Sequence, residues 1–162
     1  MSGFHGTTLK NGNIILDEEL YKKSTGNKEW LGTGVYFYFD FFDAYEWNNS
    51  EVIMHSIIKV DKEHIIDLTA NEGKELFRNI SDMMLEKLGI ELIGGIQENQ
   101  CAIADMIWDV MSDCEVMIGS FPIEKRKVKT LTEFRRYRKE FCVRNNKNII
   151  YTSMSRKSDL IE

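Results

Sequence analysis

Gly32-Thr33-Gly34-Val35-Tyr36-Phe37 is the stretch on which the fold turns. From Val35 to Phe39 the residues are β-branched or aromatic, which suits a strand. Two glycines at the mouth of that strand point to a tight bend or to a backbone lying close to a ligand. Asp40 or Asp43 then opens a helix as its N-cap, carrying Ala44 and Trp47.

Working outward, Phe4-His5-Gly6-Thr7 reads as a short strand entering a turn, and Asn11-Gly12-Asn13 as a turn before the apolar pair Ile14-Ile15. Tyr21 to Trp30 is polar and reads as a loop. Val52–Val60 and Ile65–Leu68 read as strands. Leu76, Phe77, Ile80, Met83, Met84 and Leu88 fall on one face of a helix over about 72–88, which Gly89 ends. A second helix spans about 99–112. Val116–Gly119, Phe141–Val143 and Ile149–Tyr151 are late strands, with Phe121-Pro122 a turn. Strands, then two helices, then strands is an α+β order. No repeat, low-complexity tract or linker interrupts the 162 residues, so a single domain over 1–162 is expected.

With 43% hydrophobic and 29% charged residues the composition is that of a folded globular protein. The apolar runs are too short for a membrane span, and the N-terminus shows no secretory signal pattern. Cys101, Cys114 and Cys142 are odd in number and lack CxxC spacing, so reduced thiols in a cytoplasmic protein are expected, with neither disulfides nor zinc. His55 and His64 have no partner pattern for a metal. Asp105 and Asp109, one helical turn apart, read as a solvated face. Gly32-Thr33-Gly34 is not a dinucleotide fingerprint, because the third glycine and the following helix are missing.

Charge is uneven. Between Lys125 and Lys139 lie eight basic residues and one acidic, a local +7, which leaves −12 for the rest of a chain whose net charge is −5. The plain reading is a solvated basic loop. The sharper one is a surface for phosphate-bearing partners, with Phe134 and Tyr137 able to stack on bases.

Three residues stand in contexts suited to chemistry. His5 sits in His-Gly-Thr, where glycine admits a ligand close to the backbone and a neutral imidazole can hydrogen-bond a hydroxyl. Tyr36 offers an aromatic face for a flat cationic ring, with Trp47 eleven residues later as a candidate opposite wall. Glu140 opens the strand Glu-Phe-Cys-Val, and a carboxylate there can stabilise a developing positive charge.

Taken in order, His5-Gly6-Thr7, Gly32-Thr33-Gly34-Val35-Tyr36-Phe37 and Glu140-Phe141-Cys142-Val143 resemble the His-Tyr-Glu signature of the diphtheria-toxin-like and poly(ADP-ribose)-polymerase-like ADP-ribosyltransferases. The resemblance covers roughly residues 3–48 and 137–151. It implies a split β-sandwich of two antiparallel sheets with flanking helices, and NAD as co-substrate without a metal. The implied reaction is cleavage of the nicotinamide glycosidic bond and transfer of ADP-ribose to a protein or nucleic-acid acceptor, in a toxin or a defence protein. The implied catalytic residues are His5 on the adenosine-side ribose, Tyr36 against nicotinamide, and Glu140 on the nicotinamide ribose. Gly6, Thr7, Gly34, Ala44 and Trp47 complete the implied NAD site, and Arg135, Arg136, Tyr137 and Arg138 the acceptor surface.

The chain also departs from the family pattern. The polymerase-type lysine has no counterpart, with Asp43 at the nearest place, and Ala44 replaces the expected serine. Both changes disfavour chain elongation and favour either single-unit transfer or loss of activity. Two alternatives share the fold. One is RNA 2′-phosphotransfer, which needs paired His and Arg residues that the His-Gly-Thr region lacks and only Arg135, Arg136 and Arg138 could supply. The other is a non-catalytic module that binds ADP-ribose or a partner.

Overall fold

The computed structural model describes residues 1–47, 50–89, 91–122 and 137–160. In chain order the elements are β1 (Ser2–Thr7), α1 (Leu9–Glu18), β2 (Val35–Tyr38), α2 (Phe41–Tyr45), β3 (Val52–Ile58), β4 (Ile65–Asp67), α3 (Asn71–Leu88), α4 (Ile96–Val110), β5 (Val116–Pro122), β6 (Tyr137–Val143) and β7 (Ile149–Arg156). The α+β class follows the order of elements in the sequence. The seven strands share one hydrogen-bonded sheet, in the order β4-β5-β6-β2-β1-β3-β7. It is mixed rather than antiparallel, because β4 runs parallel to β5. Helix α3 followed by α4 makes the crossover that a parallel pair requires.

The sheet is held very unevenly. Six register pairs join β1 to β3, from Ser2↔Ile57 to Thr7↔Val52. Four join β2 to β6. A single pair, Phe4↔Tyr38, joins β1 to β2. The sheet is therefore two plates, β4-β5-β6-β2 and β1-β3-β7, meeting along a narrow seam. β3 and β5 lie four places apart, roughly 19 Å in a flat sheet. Val52 and Met54 of β3 and Val116 and Ile118 of β5 belong to one buried cluster, together with Phe37 of β2 and Phe141 of β6 between them. On the other face α3 and α4 cover Met117 and Cys142 with Phe77, Ala104, Ile107 and Trp108.

Several local expectations change. Asn11-Gly12-Asn13 lies inside α1 rather than in a turn, because the Thr8 side chain caps the helix by accepting from the Asn11 N–H. Such a cap is worth about 1 kcal/mol. Gly12 is needed there: a Cβ would fall 2.8 Å from a Val52 methyl and 2.9 Å from the Met154 sulfur. In the expected Tyr21–Trp30 loop, Tyr21 is deeply buried. Its backbone exchanges two hydrogen bonds with the Asn146 side chain, at 2.8 and 3.0 Å. Asp40 does cap α2, accepting from Phe42 N–H at 2.7 Å. Only part of the apolar face of α3 is covered: Phe77 and Ile80 pack inward and Met84 is buried, while Leu76, Met83 and Leu88 are exposed. β5 runs on through the expected turn at Phe121-Pro122, since Phe121 pairs with Arg138 and Pro122 with Tyr137.

Candidate functional site

Strand alternation builds the site. On β2, Val35 and Phe37 face the core, so Tyr36 and Tyr38 face the other way. On β6, Phe141 and Val143 face the core, so Arg138, Glu140 and Cys142 share the opposite face. Register sets Tyr38 opposite Glu140 and Tyr36 opposite Cys142. Tyr36, Tyr38, Arg138 and Glu140 floor a cleft of ≈ 330 Å³, with Cys142 buried beneath it. His5 and Gly6 enter it from β1, Gly34 from the bend before β2, and Trp47 from just beyond α2. Residues far apart in sequence thus meet across the seam between the two plates.

His5 Nδ1 lies 2.8 Å from the Tyr36 carbonyl oxygen. A carbonyl only accepts, so Nδ1 carries the proton and Nε2 keeps its lone pair. Burial lowers the imidazole pKa, against a smaller upward pull from that same hydrogen bond. The ring is therefore neutral at neutral pH, with an acceptor nitrogen to offer. Tyr21 packs edge-on against it, ring centroids 5.4 Å apart. The Tyr21 hydroxyl is held by Ser56 Oγ at 2.7 Å, and Ser56 by Thr152 at 2.9 Å.

Tyr36 is pinned at its far end. Its hydroxyl donates to the Gly32 carbonyl at 2.7 Å and accepts from Leu31 N–H at 2.9 Å. Burial raises the phenol pKa far above its usual value, so the hydroxyl stays a donor. The pinning loop is itself fastened to α4. Trp108 Nε1–H donates to the Leu31 carbonyl at 2.8 Å, and Thr33 N–H donates to Asp105 Oδ1 at 2.5 Å. Gly32 takes φ +75 there. Asp105 is thus not the solvated residue the helical pattern suggests. Asp109, one turn on, is exposed and 3.4 Å from Arg144.

Glu140 is 9% exposed. Burial raises its pKa to about 7; Arg138 pulls it back, while Glu29 and Asp43 push it further up. Arg138 lies over the Tyr38 ring at 5.0 Å and pairs with Asp43 at 3.4 Å, where its Nε is not aligned for a hydrogen bond. Glu29, on the cleft wall, accepts from the Ser24 hydroxyl. The cleft therefore holds a carboxylate poised to titrate near neutrality, steadied by one cation and pressed by two acids.

Not every expected residue faces the cleft. Thr7 and Ala44 are not among its lining. Ala44 is fully buried with Tyr38 and Ile53, and its carbonyl lies where a Cβ on Gly6 would sit, at 2.3 Å. Gly6 and Ala44 together let α2 press onto β1. Trp47 is 49% exposed and tilted against Tyr38, centroids 6.0 Å apart. Arg138 reaches the cleft, and Tyr137 points to solvent. Arg135, Arg136 and Phe134 lie outside the described residues. Sequence reading missed Tyr38, Glu29, Lys22, Lys28, Trp30 and Phe121, all of which line the cleft. Of these, Tyr38 alone carried a signal, since period two sets it on the same face as Tyr36.

Among the described residues no group of three metal-ligating side chains occurs, and no helix is long and apolar enough to cross a membrane. No family model matches the chain. No solved structure matches it either. Over 105 residues it is 32% identical to Uncharacterized protein MJ0359 of Methanocaldococcus jannaschii, a match covering 54% of this chain and 49% of that protein. The chain thus spans about half the length of this curated relative.

Proposed function

We propose that the chain is an NAD-dependent mono-ADP-ribosyltransferase of the His-Tyr-Glu type. The observation that carries this reading is the meeting of His5, Tyr36 and Glu140, from three distant motifs, in one cleft. The single register pair between β1 and β2, with a buried core shared across it, supports the finer reading of the fold as a split sandwich, with the cleft at the split.

The residues present suit NAD. Neutral His5 offers Nε2 to a ribose hydroxyl, and Tyr36 and Tyr38 offer rings to the nicotinamide. Lys22 and Lys28 on the cleft wall supply cations for a diphosphate. NAD supplies the glycosidic bond that breaks, whose electron pair leaves with nicotinamide. Glu140 hydrogen-bonds the 2′-hydroxyl of the nicotinamide ribose and faces the positive charge that develops there. Its carboxylate also takes the proton that the attacking acceptor group gives up. Asp43, in place of the polymerase-type lysine, is paired with Arg138, which fits transfer of a single unit. The deciding experiment supplies NAD labelled in its adenylate portion, and separates labelled macromolecule from free ADP-ribose and nicotinamide. Absence of both nicotinamide release and transfer would leave the binding-module and RNA 2′-phosphotransfer readings.

Two further results are expected. Because ionised Glu140 is the competent form, kcat/KM for NAD should rise with pH through about 7. Bound cationic nicotinamide favours the carboxylate, so the matching limb in kcat should lie lower. Profiles flat through neutrality would remove the carboxylate from the reaction. Nicotinamide should also quench tryptophan fluorescence, and Trp47→Phe should remove most of that quench. Quenching carried wholly by Trp30 or Trp108 would take Trp47 out of the pocket wall.

A further inference from the structure

A second cavity, of ≈ 360 Å³, lies between α3, α4 and the outer half of β5. It shares one wall with the cleft: Phe121 lines both. The Phe121 ring stacks on Trp30 with centroids 4.8 Å apart and planes 10° from parallel. Lys74 and Arg78, one turn apart on α3, face this cavity, with Ser81, Gln100 and Ser120 as uncharged donors. Among the described residues its lining includes no carboxylate.

We infer that this cavity seats the acceptor and that the acceptor is a single-stranded nucleic acid, an inference that rests on the transferase reading. An aromatic wall at Phe121, backed by Trp30, beside two cations and no carboxylate matches a strand whose base packs on the wall while its phosphates meet Lys and Arg. An acidic protein surface would find the cations but would leave the stacked pair without a counterpart. With a phosphate held by Lys74 and Arg78, a neighbouring base reaches the Phe121 wall and so the mouth of the cleft. The transfer forms a bond from C1′ of the nicotinamide ribose to a nucleophilic nitrogen or oxygen of the strand. The strand's proton passes to the Glu140 carboxylate, and the pair of the broken C–N bond leaves with nicotinamide.

The test titrates a dye-labelled oligothymidylate of about a dozen nucleotides with the full chain at several salt concentrations, read by anisotropy. Binding should fall steeply with salt. Lys74 and Arg78 are both exposed, so the double variant Lys74→Ala, Arg78→Ala should keep the fold and its NAD hydrolysis. It should also lose affinity and about one to two units of the salt slope. An abasic strand of equal length should bind clearly more weakly. Equal binding of the abasic strand, or unchanged binding by the double variant, overturns the inference. So does labelled product that resists nuclease but yields to protease. Strand binding of the expected kind without any NAD turnover by the native chain would remove the transferase reading and leave the cavity assignment standing.

Discussion

Glu140→Gln is expected to slow NAD cleavage by about 10²–10³, the usual effect of removing one electrostatic contact to developing charge. The same variant is expected to be more stable than the native chain at pH 8. The native carboxyl has its pKa raised from 4.5 to about 7 by burial, so the folded state holds that proton more tightly than the unfolded state does. Below about 4.5 both states are protonated and no penalty arises. As pH rises from there through 7, the unfolded state gains from ionising and the folded state must bear a buried charge. Above 7 the penalty is constant, on the order of 3 kcal/mol. Glutamine, neutral throughout, escapes it. Urea unfolding at pH 4 and at pH 8 checks this: the stability gain should be present at 8 and absent at 4. A variant with full activity, or a gain independent of pH, would sink the assignment.

Phe141→Ala is expected to cost about 3–5 kcal/mol, the range for a large buried aromatic. Phe141 is fully buried. It stacks on Phe37 at 5.4 Å with planes 20° apart, and packs against Phe39 at 4.9 Å. Its ring also reaches β1: a Cβ placed on Gly3 would meet it at 2.4 Å. One side chain of β6 therefore plugs the underside of the seam, while its neighbour Glu140 faces the cleft above. Losing the ring should widen the join between plates as well as open a cavity. Phe141→Leu, which keeps most of the volume, should restore much of the loss in thermal unfolding. A cost near zero would mean that the plates are held elsewhere.

What the sequence disclosed is what local chemistry decides. Most of the aromatic run Val35–Phe39 is a strand, Val35–Tyr38, because its side chains suit a pleated surface, and Asp40 caps α2 as its type and place suggest. Asn11-Gly12-Asn13 misled because the turn signal is local, whereas Gly12 answers to Val52 and Met154 on strands far along the chain. Asp105 misled for the same reason. Its partner Thr33 lies 72 residues away, and helical spacing is silent on that. His5, Tyr36 and Glu140 are legible because each stands in a short motif and the three motifs together resemble a family signature. Tyr38 was legible only through its period-two spacing from Tyr36, whereas Glu29 and the Trp30–Phe121 pair belong to no motif and reach the cleft through contacts far apart in sequence.

The one-rung join at Phe4↔Tyr38 has a mechanical meaning. His5 and Gly6 ride on one plate, and Tyr36, Arg138 and Glu140 ride on the other. A molecule that touches both sets bridges a join that the backbone ladder closes with one register pair and that the His5 ring, on the Tyr36 carbonyl at 2.8 Å, fastens a second time.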